Sequence, residues 1–409
     1  MKKIVGTIAA IALATSAVFA DVNVGMGFSR AIFTPFAYDG EDARMDISTS
    51  WGAAPRIGGS ISGASEDCGV VGDFKFDGGE VTVNDNAYVW VKPISWLKLN
   101  IGQSFDDTLR GNACFGSWDW LRPSAALTGE DFIFTRICGN PLNGAWAPLV
   151  GAIVMADPIE GLHIGVSFPI YGKTVTPAGF ALNTPANDGD TAVWEATAAS
   201  ESSSGYTNSK MEDVFSTMQV AAGYTIDGVG QIKAQWIGAG KDADDKVQGQ
   251  IEAAFCLKAV ENMTLDIGAK FRTVEHSPID VAAYWSMPFD ALRVHASVGL
   301  SITPKYDIKV MGVSVEVPTQ TNLVAGAGID YDLGNGVGVS ADFRFAQTFI
   351  KDVDSDPSIA FGVWVNKGIA NGTLGIGAQG AMRAGIRDFT PSEEDSFVFA
   401  IPVRVQCFF

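Results

Sequence analysis

Ser396-Phe397-Val398-Phe399-Ala400-Ile401-Pro402-Val403-Arg404-Val405-Gln406-Cys407-Phe408-Phe409 ends the chain. Phe397, Phe399, Ile401, Val403, Val405, Cys407 and Phe409 take every second position, and all are apolar. The intervening set includes Ser396, Pro402, Arg404 and Gln406. A period of two describes a strand with one apolar and one wet face. A helix would place Arg404 among the apolar residues, and Pro402 would break it. The stretch therefore reads as a terminal strand, either the edge of a soluble sandwich or a wall with oil on one side.

Recurrence decides between the two. Leu97/Leu99/Ile101, Ile232/Ala234/Trp236, Ile251/Ala253/Phe255/Leu257 and Leu265/Ile267/Ala269/Phe271 alternate with polar residues in the same way. So do Leu292/Val294/Ala296/Val298/Leu300 and Val337/Val339/Ala341/Phe343/Phe345. Lys or Arg on a lipid-facing row costs about 2–4 kcal/mol near the bilayer midplane. Their absence from these rows sets the register, because a slip of one residue inverts a strand. The expected fold is all-β, a single transmembrane antiparallel β-barrel. Its opposite rows would line the lumen with Lys98, Lys233, Gln235, Glu252, Lys258, Asp266, Lys270, Arg272, Arg293, His295, Asp342, Arg344, Gln379, Arg383 and Arg404.

Composition agrees with a barrel. Hydrophobic residues make up 47% of the 409 positions, with 25 Phe and 46 Gly, yet the formal charge is −18. Lipid-facing stripes with acidic loops in water reconcile these values. No run of about 18 apolar residues offers a spanning helix. Residues 1–20 read as a cleaved export signal, with Lys2 and Lys3, an apolar Ile4 to Leu13, and Val18-Phe19-Ala20 before Asp21. The mature chain, 21–409, enters strand alternation at once, leaving no room for a plug domain ahead of the first strand.

Tight turns are read at Lys92-Pro93-Ile94-Ser95, Asp157 to Gly161, Asp227 to Gly230, Val260 to Asn262, Pro288 to Asp290, Asp332 to Gly336 and Lys367 to Gly372. They give about 16 strands within a range of 14–18, the upper value applying if an early hairpin forms around residues 51–55. Long segments alternate with these turns, notably 103–148, 171–213 and 304–320. Short turns at one rim and long loops at the other are the asymmetry of outer-membrane barrels. Residues 181–210, rich in small polar side chains, read as a mobile surface loop.

The layout resembles spirochaete (treponeme-like) outer-membrane porin-type barrels. The resemblance rests on Asn86 to Pro93 leading to Asp106 to Gly111, on Gly129 to Arg136, and on Glu212 to Phe215 continuing through Gln219 to Gly228. It implies an outer-membrane location, lipid as the surroundings and the barrel-assembly machinery as a partner. The terminal Phe397, Phe399, Ile401, Val403, Val405 and Phe409 resemble the insertion signal that this machinery reads. General porins also fold one long loop inward. The 105–148 segment is the candidate here, carrying Arg110, Trp118, Trp120, Arg122, Glu130, Asp131 and Arg136.

Five Cys, at 68, 114, 138, 256 and 407, include a possible disulfide between Cys114 and Cys138, which flank that loop. His163, His276 and His295 are too few, and too dispersed from Cys, for a metal centre. The tract Asp352, Asp354, Asp356 lacks the Gly and distal Glu of a calcium loop. No cofactor, metal or nucleic-acid partner is expected. The expected function is a porin, a water-filled channel for small hydrophilic solutes in one chain or a homotrimer. Nine Lys or Arg against three Asp or Glu in the inward set either favour anions or pair with acids on an inward-folded loop and hold it in place. The alternative is a surface adhesin or structural protein binding partners through its loops. An enzyme is not expected, because His295, Ser297 and Ser301 share a strand face without a nucleophile motif.

Overall fold

In the computed structural model, the residues described are 21–38, 42–48, 56–77, 80–106, 108–109, 150–170, 173–176, 179–183, 193–197, 200–203, 211–242, 245–310, 313–353, 355–383 and 397–407. Eight strands come first: β1 (Asp21–Tyr38), β2 (Ala43–Ser48), β3 (Arg56–Ala64), β4 (Cys68–Asp77), β5 (Glu80–Ile94), β6 (Leu97–Gln103), β7 (Val150–Ala156) and β8 (Leu162–Pro169). The short strands β9 (Lys173–Thr176), β10 (Gly179–Asn183), β11 (Val193–Thr197) and β12 (Ser200–Ser203) pair as β9 with β12 and β10 with β11, apart from the main sheet. A six-residue helix, Met211–Ser216, precedes β13 (Gln219–Ile226), β14 (Gly230–Lys241), β15 (Val247–Leu257), β16 (Thr264–Arg272), β17 (Ile279–Phe289) and β18 (Leu292–Thr303). A separate hairpin of β19 (Tyr306–Val310) and β20 (Val313–Val317) follows. The chain ends with β21 (Gln320–Gly334), β22 (Val337–Ile350), β23 (Ser358–Ile369), β24 (Gly372–Met382) and β25 (Phe397–Cys407).

Nineteen strands form one sheet, and every pair in it is antiparallel. Neighbours in sequence are neighbours in the sheet, except that β3 pairs with β1 instead of β2, and that β8 pairs with β13 and β18 with β21 across the loop hairpins. β1 is partnered on both edges. Ile32 pairs with Ser48 of β2 and with Arg404 of β25, while Ser29 pairs with Ile57 of β3 and Cys407 of β25. Following partners from β3 round to β25 therefore leads back to β1, with β2 lying alongside its outer half. At this seam Phe36 of β1 and Phe399 of β25 place their rings 6.3 Å apart at 57°, a favourable tilted geometry.

The expected strand number of about 16 (range 14–18) is too low. The shortfall lies before residue 80, where Arg56–Ala64 reads RIGGSISGA and Cys68–Asp77 reads CGVVGDFKFD. Strands built from Gly and Ser carry little apolar alternation, so their face is unwritten in the sequence. Residues 171–213 also differ from a featureless loop, because four short strands form within them.

The tight turns follow from residues that accept left-handed backbone. Asn335 (φ 52°) and Gly336 (φ 72°) link β21 to β22, Asp290 (φ 51°) links β17 to β18, and Asn371 (φ 58°) links β23 to β24. Asn, Asp and Gly take this conformation at least cost, and its twist suits hairpins. Pro402 interrupts the ladders of β25 on both sides. Pairing skips from Val403 to Ile401 along β1 and from Val403 to Ala400 along β24, as expected of a residue with no N–H.

Burial is inverted relative to a water-soluble domain. Ile232, Ile251, Phe343, Val363 and Ile376 are all more than 45% exposed. Arg344, His295, Glu252 and Asp280 are at most 2% exposed, among the most enclosed large side chains of the molecule. The inner face also carries one small apolar cluster, Val324, Ala346, Ala360, Ala381 and Val398, on the five consecutive strands β21–β25. Among the described residues no helix is long and apolar enough to cross a membrane.

Candidate functional site

The charged residues of the inner face stand on strands at alternate positions, because each strand exposes its apolar row and encloses the other. Lys233, Gln235, Glu252, Lys270, His295, Asp342, Arg344 and Gln379 are buried. Lys98, Asp266, Arg272 and Arg404 share that row and are partly enclosed, while Arg293 is exposed near the β17–β18 turn. Lys258 and Arg383 lie just beyond strand ends. Lys258 is exposed in a turn, and Arg383 (φ 54°) forms an ion pair with Asp356.

These groups are knitted across strands. Glu252 accepts from Gln235 Nε2 at 2.5 Å and from Gln250 Nε2 at 2.6 Å. Arg272 donates to Asp280 at 3.1 Å, and Asp280 stands directly opposite Lys270. Ser340 donates to Asp330 at 2.6 Å, and Arg404 donates to Asn366 at 3.0 Å. His295 Nε2 lies 2.7 Å from Asp342 Oδ1 across the intervening strand, and its Nδ1 lies 3.7 Å from Asp330. Ser297 and Ser301 share the buried row of His295, but its Nε2 is engaged by Asp342.

A second cluster ties the start of the long 103–148 segment to the wall. Gly102 has φ 128°, and a Cβ there would collide with Ala87 O, so glycine suits this position one residue before β6 ends. The chain then brings Asp106 Oδ2 to 2.8 Å from His163 Nε2 on β8, while Asp157 Oδ1 lies 2.7 Å from His163 Nδ1. Between two ionised carboxylates, which have no proton to donate, both ring nitrogens would carry hydrogen. Thr108 donates to Asp106 from its backbone N at 3.0 Å and from its hydroxyl at 2.6 Å. Burial raises the Asp106 pKa, but the hydrogen bonds from His163 and Thr108 outweigh it and hold the carboxyl below its ordinary 3.8. Leu109 packs on Ala221 and fills the space over Gly223, where a Cβ would strike it.

At the short-turn rim, Trp90 on β5 stands opposite Asn100 on β6. Its indole lies over Gly69, where a Cβ would come within 2.6 Å of Nε1. Lys92 and Lys98 place their ammonium groups 5.6 and 5.3 Å from the ring centroid.

Sequence reading missed Asp280, Asp330, Asp106, His163 and Trp90. Asp280 and Asp330 were visible in principle, each flanked by apolar residues at alternate positions. The meeting of Asp106 with His163, 57 residues apart, had no local signal. Arg110, Trp118, Trp120, Arg122, Glu130, Asp131, Arg136, Cys114, Cys138, Asp354 and Phe409 lie outside the described residues. Cys68, Cys256 and Cys407 are free thiols, and no His/Cys/Asp/Glu group suited to a metal occurs among the described residues.

No protein-family model matches the chain, and no curated protein matches it by sequence. Solved structures do match. The outer membrane protein OpdK of Pseudomonas aeruginosa aligns with a TM-score of 0.50 and 11% identity, over 96% of this chain and all of its own. A mutant porin of Rh. blastica gives 0.44 at 13% identity, over 94% and 100%. OmpT, an outer membrane protein of Vibrio cholerae, gives 0.42 at 9% identity, over 96% and 100%. The OpdK alignment, at so low an identity, assigns a fold shared with an outer-membrane protein and nothing finer. None of these matches bears on the treponeme-like resemblance.

Proposed function

We propose that this chain is an outer-membrane porin, a strand-walled channel through which small hydrophilic solutes diffuse. The inverted burial carries the reading. An apolar exterior on strand after strand suits lipid, and the charged interior suits water. A circuit of paired strands suits a bilayer, where unpaired backbone at a sheet edge would be costly. A sheet of about this many strands is wide enough for an aqueous passage, whereas about eight fill with side chains. Export across the inner membrane, insertion by the barrel-assembly machinery and assembly as a monomer or homotrimer belong to the same proposal.

The inner rows are basic by a narrower margin than the sequence suggested. Lys98, Lys233, Lys270, Arg272, Arg293, Arg344 and Arg404 face Glu252, Asp266, Asp280, Asp330 and Asp342. Several of these charges pair with one another, so the expected anion preference is modest.

Planar-bilayer recording tests the proposal. Purified mature protein should give stepwise ohmic conductance, with a small reversal potential of anion sign in a salt gradient. A refolded protein that inserts but never conducts would rule out the porin reading.

A further inference from the structure

We propose that Trp90, Lys92 and Lys98 form an oxyanion-binding station on the inner wall at the short-turn rim, which rests on the porin reading and gives it a preferred class of solute. Gly69 is the seat of this station. Because it has no side chain, the indole lies against β4 with little standing between them. Two ammonium groups are then held within 6 Å of one ring centroid, a distance at which the ring quadrupole attracts each cation.

That arrangement brings two like charges close together. Asp106 attracts Lys98 from a distance and Lys92 repels it. Neither lysine lies within ion-pair distance of a carboxylate among the described residues, although the adjoining β3–β4 turn carries Glu66 and Asp67. Arg272, by contrast, is matched by Asp280 at 3.1 Å. An incoming dianion would relieve the repulsion and collect donors from both sides. Asn100 adds a polar group opposite Trp90. It is 2% exposed, and the end of its amide that has no hydrogen-bond partner would serve an anion as a donor with the NH2 turned towards it. The ring also offers an apolar flank to the carbon skeleton of a phosphorylated or carboxylated solute.

The probe is inorganic phosphate, titrated with detergent-solubilised full-length mature protein and followed by the phosphorus-31 line width. The wild type should broaden the line, and added sulfate should reverse the effect. Lys92→Gln/Lys98→Gln should lose at least threefold of the broadening, Lys92→Arg/Lys98→Arg should restore it, and Lys258→Gln, an exposed turn control, should leave it unchanged. No broadening by the wild type, or full broadening by the double Gln variant that retains its strand circular dichroism, would overturn the station. Chloride conductance of the same samples reports on the channel separately: a conducting protein that ignores phosphate removes the station alone, and a non-conducting one removes the porin reading.

Discussion

His295 and Asp342 form a 2.7 Å contact although their strands, β18 and β22, are separated by β21. The contact is possible because Gly328 of β21 stands opposite both residues. A Cβ at that position would collide with Asp342 Oδ1 and His295 Nε2 together. Adjacent strands are about 4.8 Å apart, so two long polar side chains meet over an empty middle position.

Gly328→Ala should therefore break this enclosed pair while leaving strand pairing intact. Leaving a buried hydrogen-bonding group without its partner costs about 1–3 kcal/mol. Urea unfolding in lipid vesicles should show a loss within that range. A change below ~1 kcal/mol would mean that the wall yields easily at β21.

Asp106→Ala should free Thr108 from its tie to β8, because His163 and Thr108 both lose their acceptor. Exchange at the Thr108 amide should rise at least tenfold, or about 1.4 kcal/mol. The pH dependence follows from the depressed pKa of Asp106. A carboxyl with a folded pKa below its unfolded value stabilises the folded state above the unfolded value, and that stability is lost as pH falls through the folded pKa. Thr108 protection should persist through the ordinary carboxylate range and disappear only below it.

Ile376 lies mid-strand on the exposed row of β24, 52% exposed. Ile376→Arg should cost about 2–4 kcal/mol in vesicles if this row faces the bilayer core. On a water-facing surface the same substitution would be nearly neutral, so vesicle unfolding distinguishes the environments.

The seam between β1 and β25 invites a double-mutant cycle on Phe36→Ala and Phe399→Ala. A tilted ring pair is worth about 0.5–1.5 kcal/mol beyond its area, and coupling of that size is expected in vesicle unfolding. Additive losses would place the two rings out of contact.

How much of this could be read from residues in order differs by element. Val337 to Phe345 and Phe397 to Val405 announce strand, face and register together, because a half-buried strand must alternate and a charge on the oily face is costly. Asn335-Gly336 announces its turn for the same local reason, since few residues accept left-handed backbone. Arg56 to Ala64 gives no such notice, as glycine and serine suit either face.

Sequence by itself determined that the chain is a sheet with one apolar and one polar face, and which rows of Lys, Arg, Asp and Glu share the polar one. Tertiary structure decided which of those groups meet: Asp106 with His163, His295 with Asp342 over Gly328, and two lysines round Trp90. The division has a physical cause. Alternation is enforced within a single strand, whereas contacts between distant strands depend on register, strand order and where a glycine leaves space.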